Sequence, residues 1–205
     1  MKRFPTLRHK EFDIFKKLNS PVKIQNFVDG LCINFEPTRE TCRSPLLVLR
    51  RWEAHCMEGA MLSAAALWYN GEKPLLLDLK TTKDDHDHVV ALFRRDGLWG
   101  AISKTNHAVL RYRDPIYKNV RELAMSYFNE YFLDNGKKTM RSYSAPFSLL
   151  TLDSRWLTAR ENLWQIGADL DDSKHFSVLP KNGASKLRCA DQVEIETGKI
   201  VQWEK

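Results

Sequence analysis

Residues 56–69 read CMEGAMLSAAALWY, and residues 88–103 read HVVALFRRDGLWGAIS. The first run is rich in Ala, Met and Leu and closes at Asn70-Gly71, so it predicts a helix. Gly59, Ala60, Ser63, Ala64, Ala65 and Ala66 make that helix small-sided and apolar on nearly every face, which predicts a central, closely packed position. The second run predicts a β-hairpin closed at Asp96-Gly97. With a two-residue turn, Arg95 pairs with Leu98 and paired residue numbers sum to about 193 along the ladder. His88 then lies opposite Thr105, with Ser103 one diagonal step away on the same face.

Working outward, Phe12, Phe15 and Leu18 sit at helical spacing and stop at Asn19-Ser20-Pro21. Val22, Ile24, Phe27, Val28 and Leu31 then suggest a second short helix. Ser44-Pro45 is the expected N-cap and first residue of another. Leu75 to Leu79 reads as a short buried strand and Lys80 to Asp87 as an acidic loop. Beyond the hairpin, Tyr117 to Phe132 is amphipathic, Arg155 to Leu163 reads as a further helix, and the alternation of Val193 to Trp203 predicts a terminal hairpin. Helices first and an antiparallel meander afterwards give an α+β fold. The expectation is one domain over residues 1–205, with a helical cap at 1–45, a core at 46–135 and a C-terminal extension at 136–205.

The composition fits that size. The chain has 205 residues, 43% hydrophobic and 28% charged, with six Trp, six Tyr and ten Phe, far more buryable surface than a disordered chain carries. Four cysteines (Cys32, Cys42, Cys56, Cys189) without a CxxC motif do not make a disulfide scaffold and fit a reducing compartment. The N-terminus lacks the apolar run of a secretory signal and no stretch is long enough to span a bilayer, so a cytoplasmic protein without a membrane partner is expected. The net charge of +6 is spread in pairs such as Lys16-Lys17 and Arg94-Arg95, a pattern of a solvated surface rather than a nucleic-acid interface.

Chemistry gathers where the two decisive runs meet. Cys56 opens the central helix, where unpaired N–H groups and the positive dipole end favour a thiolate. His88 opens the first hairpin strand and is the candidate base for that thiol. This order, a Cys on a small-residue helix, a His starting an apolar strand and a polar residue on the next strand, resembles the transglutaminase-like superfamily, relatives of the papain-like cysteine peptidases. The resemblance covers roughly residues 50–106. In that family a Trp with an Asp four positions on follows the His strand; here Trp99-Gly-Ala-Ile-Ser103 fits in place, with Ser103 where the Asp is expected.

The resemblance implies acyl transfer at an amide or peptide bond of a peptide or protein substrate through a Cys56 thioester, by hydrolysis or transamidation, without a cofactor. The Cys56 N–H would donate to the oxyanion. Ser103 stands first as the residue that orients His88, Asn106 second, as an amide orienter on the papain pattern, and Asp114 third. A serine accepts from an imidazole N–H but does not stabilise an imidazolium as a carboxylate does. Lys104, His107 and Trp99 are the expected substrate-binding residues, with Lys104 also a candidate for holding the thiolate electrostatically. Arg111 and Arg113 are expected to pair with acidic groups on the following helix.

Two other readings use the same residues. Asp84-Asp85-His86-Asp87-His88, with His55 or Cys56, offers a ligand set for a metal-dependent hydrolase, although that mixture specifies no single metal geometry. An inactive member of the family would serve instead as a peptide- or nucleic-acid-binding module.

Overall fold

The computed structural model describes residues 2–204. The chain begins with a 3-10 turn, Lys10–Lys16, that buries Phe12 and Phe15. Helix α1 (Pro21–Asp29) starts with Ser20 accepting from the Lys23 N–H and with Pro21 in the first turn, where its missing N–H costs nothing. Strand β1 (Cys32–Ile33) follows. Helix α2 (Pro45–Arg51) repeats the same opening, Ser44 accepting from Leu47 N–H, and ends on Trp52 in a left-handed conformation. Strand β2 (Glu53–Ala54) then pairs in parallel with β1. That short ladder fixes the chain immediately ahead of helix α3 (Cys56–Tyr69).

Every residue of α3 from Met57 to Trp68 is buried. Leu62 and Leu67, with 1% and 0% exposure, each stabilise the fold by about 1.5–3 kcal/mol relative to an exposed side chain. The small residues let neighbours come close. A methyl group at Gly59 would collide with the Lys104 β-carbon, so this helix and the end of the hairpin can approach only over a glycine.

Strands β3 (Leu75–Lys80), β4 (His88–Arg95), β5 (Leu98–Ser103) and β6 (Arg113–Tyr117) form an antiparallel meander. The β4–β5 turn has Asp96 at φ 51° and Gly97 at φ 81°, the positive angles that a tight two-residue hairpin requires. Its register runs from Arg95↔Leu98 to Val90↔Ser103, as the turn chemistry predicts, and so places Ser103 diagonal to His88. Helix α4 (Val120–Tyr127) leads through a 3-10 turn, Phe128–Glu130, to β7 (Ser142–Ser144) and β8 (Phe147–Ser148), both of which pair with β3. Helix α5 (Trp164–Asp171), β9 (His175–Ser177) on the far side of β7, and helix α6 (Gln192–Lys199) complete the chain. The strand order of the large sheet is β6-β5-β4-β3-β7-β9.

The fold is α+β, with α3 and the N-terminal helices packed on an antiparallel sheet. Val89, Ala91, Phe93 and Ile102 meet α3 on one face. Val90, Leu92, Leu77 and Leu79 meet Leu123, Ala124 and Tyr127 of α4 on the other. Because both faces are covered, β3 and β4 read as continuous apolar runs rather than alternating ones.

Three expectations change. Helix α4 begins only at Val120, where Asn119 accepts from Glu122 N–H, and it ends at Tyr127 rather than Phe132. Residues 155–163 hold only the end of a 3-10 turn, Ser154–Leu157, and the helix lies later, in α5. The terminal hairpin is instead helix α6: Asp191 and Glu194 form a capping box, and Val193 is 76% exposed while Ile195 is buried. The capping residues outweigh an alternation in which only one position faces the interior.

Candidate active site

Cys56 is the first residue of α3, so its backbone N–H has no partner within the helix and points outward at the positive end of the dipole. His55 is the N-cap and Glu58 closes a capping box on its backbone N–H at 3.2 Å. Glu58, with 0% exposure, also accepts from Asn34 Nδ2 (3.0 Å), Thr41 Oγ1 (2.8 Å) and Arg43 N–H (2.9 Å). All four partners are donors, as a buried carboxylate needs. The carboxylate thereby ties the loop between β1 and α2 to the start of α3.

His88 is buried, and its Nε2 lies 2.7 Å from Ser103 Oγ. That hydroxyl in turn donates to the Leu110 carbonyl at 2.5 Å. A carbonyl only accepts, so the single hydroxyl proton is spent on Leu110 and Ser103 must accept from His88 Nε2–H. The other ring nitrogen, Nδ1, is left with a lone pair for the Cys56 thiol. Ser103 is itself fixed by Gln25 of α1, whose amide accepts from Ser103 N–H (2.9 Å) and donates to Ser103 C=O (2.8 Å). Leu110 holds a left-handed conformation (φ 60°), a strained one for a bulky side chain, and its N–H donates to Glu130 at 2.6 Å. Glu130 is anchored by Arg113 at 2.6 Å. Glu130 and Arg113 thus hold Leu110 in the strained conformation from which its carbonyl accepts the Ser103 hydroxyl.

Burial alone would raise the Cys56 thiol, but hydrogen bonding and positive charge from His55 and His88 outweigh it and hold the thiol well below its usual value. Burial likewise pushes His55 down, yet its contact with Cys56, aided by Glu58 and the Thr41 carbonyl, lifts it to about 9. His55 Nε2 is 2.9 Å from the Thr41 carbonyl, which leaves Nδ1 on the sulfur side. In the neutral ring Nδ1 accepts from Met57 N–H at 3.3 Å; in the imidazolium it is a donor toward the thiolate. Two imidazoles therefore flank one sulfur.

A cleft of about 710 Å³ opens over these groups, lined by Cys56, His55, His88, Asp87, Tyr131 and Leu110 among others. Asn106, Lys104 and His107 also border it, but each is turned to another task. Asn106 exchanges two 2.9 Å hydrogen bonds with the Trp203 backbone, so it does not orient His88. Lys104 is 1% exposed and donates to the Leu31 carbonyl; burial pulls its ammonium down to about 8. Its ammonium is therefore committed to the residue just ahead of β1. His107 Nδ1 lies 2.9 Å from the Gly198 carbonyl at the rim. Trp99 is at the opposite end of β5, under the Arg94 guanidinium and beside a separate pocket with Glu72 and Arg95, away from the cleft. Asp114 is exposed on β6, the edge strand beside β5.

The acidic loop does not gather around one ion. Asp84 pairs with Lys137, Asp85 with Thr139 and Asp87 with Thr81, while His88 is committed to Ser103. Among the described residues, the carboxylates that converge are Asp78, Asp87 and Asp171, and Lys80 and His175 already pair with Asp171 and Asp78. His55 enters the site as a partner of the thiol rather than a metal ligand. Its signal was local, a residue at the N-cap with Glu three positions on. Gln25, 78 residues from Ser103, carried none.

No family model matches the chain, and no curated protein matches it significantly. Among solved structures, LapG of Legionella pneumophila in an EGTA-treated form is similar in outline, with a TM-score of 0.42 and 11% identity over 79% of this chain and 81% of that one. No helix among the described residues is long and apolar enough to cross a membrane.

Proposed function

We propose that this protein is a cysteine-dependent acyl-transfer enzyme of the transglutaminase-like kind, built as one domain over residues 1–205 and acting on a peptide or protein amide. The observation that carries the reading is the directed chain Leu110 C=O, Ser103 Oγ–H, His88 Nε2–H, which leaves Nδ1 as the ring nitrogen free to serve Cys56, the thiol that His88 helps hold down. His88 Nδ1 takes the thiol proton, and the thiolate attacks the carbonyl carbon. The π pair moves to oxygen, and that oxyanion accepts from the Cys56 N–H at the helix start. Collapse re-forms the carbonyl and breaks the C–N bond, and His88 Nδ1–H protonates the departing amine. A water or a second amine, deprotonated by His88, then attacks the thioester and regenerates the thiol. Ser103 accepts from His88 Nε2–H throughout, so it fixes the ring and its tautomer without taking a proton.

Alkylation by iodoacetamide across pH tests this. Cys56 is expected to react with an apparent pKa well below about 8.5, the value of an unperturbed thiol. A binding module without catalysis would leave Cys56 no faster than the exposed Cys32 and Cys189.

A further inference from the structure

An oxyanion pocket works through at least two preorganised donors, and the helix start supplies one. Several other donors around the cleft are committed. Asn34 Nδ2 serves Thr41 and Glu58, His55 Nε2 serves Thr41, Lys104 serves Leu31 and Asn106 serves Trp203. Among the described residues, four buried side-chain polar atoms have no hydrogen-bond partner: Thr82 Oγ1, Tyr131 OH, Trp156 Nε1 and Trp203 Nε1. Of these, only Tyr131 belongs to a residue that lines the Cys56 cleft.

We propose that the Tyr131 hydroxyl is the second donor, beside the Cys56 N–H, to the oxyanion formed when Cys56 attacks an acyl carbonyl. This assignment rests on the acyl-transfer reading above. Tyr131 follows the 3-10 turn Phe128–Glu130, its carbonyl accepts from Thr139 N–H at 3.1 Å, and its ring is held among Leu79, Met140 and Tyr143. With 3% exposure it is as fixed as the core around it, so no reorganisation is needed when charge appears. A hydroxyl buried without an acceptor is unfavourable in the resting protein, and such groups are kept where a function uses them. Burial, followed by the negative charges of Cys56 and Asp85, pushes the phenol well above its ordinary range. It therefore stays protonated beside the thiolate and acts by donation alone: no proton leaves Tyr131 when the oxyanion forms or collapses. A phenyl ring would satisfy packing equally well, which makes Tyr131→Phe the informative variant.

Two reagents separate the roles. Iodoacetamide reads only the ionisation of the sulfur, because its displacement builds no oxyanion. The burst of p-nitrophenolate from p-nitrophenyl acetate reads attack on a carbonyl. Tyr131→Phe is expected to alkylate at Cys56 within about twofold of wild type with the same pH midpoint, yet to acylate roughly 10²-fold more slowly. Equal acylation by Tyr131→Phe and wild type overturns the assignment, as does an equal slowing of both reactions, which marks a packing role. Wild-type Cys56 alkylating no faster than Cys32 and Cys189, or alkylating selectively but releasing no p-nitrophenolate, overturns the acyl-transfer reading itself.

Discussion

Cys42 and Cys56 each adjoin a residue whose N–H the same buried carboxylate, Glu58, accepts, and they end in opposite states. Cys42 sits just ahead of α2, is 3% exposed, and its sulfur has only the Leu163 carbonyl at 3.6 Å. Burial, reinforced by the Glu58 charge, pushes that thiol up to about 12. Cys56 is shielded as well, but it stands at a helix start between two imidazoles and is pulled down instead. Glu58 raises Cys42 directly and, by raising His55, helps lower Cys56. Burial therefore does not decide whether a thiol is reactive. The sign depends on which charge the sulfur meets once water is excluded.

The sharpest way to break this contrast is to remove each sulfur in turn. Cys56→Ala should abolish thioester formation, a loss of at least about 10³-fold, whereas Cys42→Ala should leave acylation within a few-fold of wild type and lower Tm slightly. Comparable losses from both would show that Cys42 is not the inert partner. His88→Ala should slow acylation of Cys56 by about 10²–10⁴-fold and move its alkylation midpoint toward that of Cys32. Ser103→Ala leaves the His88 Nε2–H buried without an acceptor, a cost of about 1–3 kcal/mol. Its acylation rate should fall between those of wild type and His88→Ala, and a rate equal to wild type would remove Ser103 from the site.

The pH dependence of stability sharpens the comparison further. His55 has its folded value raised to about 9. Its contribution is therefore complete below about pH 6.5, the unperturbed histidine value, and is lost as pH rises through about 9. Cys56→Ala removes the main raising cause together with the thiolate's own opposing contribution, which is complete above about pH 8.5. Tm measured from about pH 8.5 to 10, where only the His55 loss remains, should therefore decline less steeply than in wild type. Equal slopes would show that His55 is not coupled to the sulfur. The smallest effect is expected at Asn106→Ala, which breaks its link to Trp203, lowers stability by about 1 kcal/mol and leaves the acylation rate unchanged.

Much of this arrangement is legible in residue order. The run at 56–69 is small-sided and ends in Asn70-Gly71, so a buried helix beginning at Cys56 follows from helix propensity and packing. Asp96-Gly97 sets the β4–β5 register through turn geometry, and the register puts Ser103 diagonal to His88. Ser44-Pro45 marks the start of α2 through its own capping chemistry. These are local rules acting within a few residues. The period-2 pattern at 193–203 misled because a capping box at Asp191 and Glu194 governs the same residues.

What only the tertiary structure decided lies between segments far apart in the chain. That Lys104 turns to Leu31, that Asn106 turns to Trp203 and that Gln25 grips Ser103 are choices among partners 73 to 97 residues away. So is the direction of the Ser103 hydroxyl, set by a strained Leu110 that Glu130 and Arg113 hold in place. The residues near Cys56 were named by sequence because a helix start and a hairpin turn are short-range facts. Which of them act on the sulfur was settled by packing, because a buried donor or acceptor must find whichever partner the folded chain brings within reach.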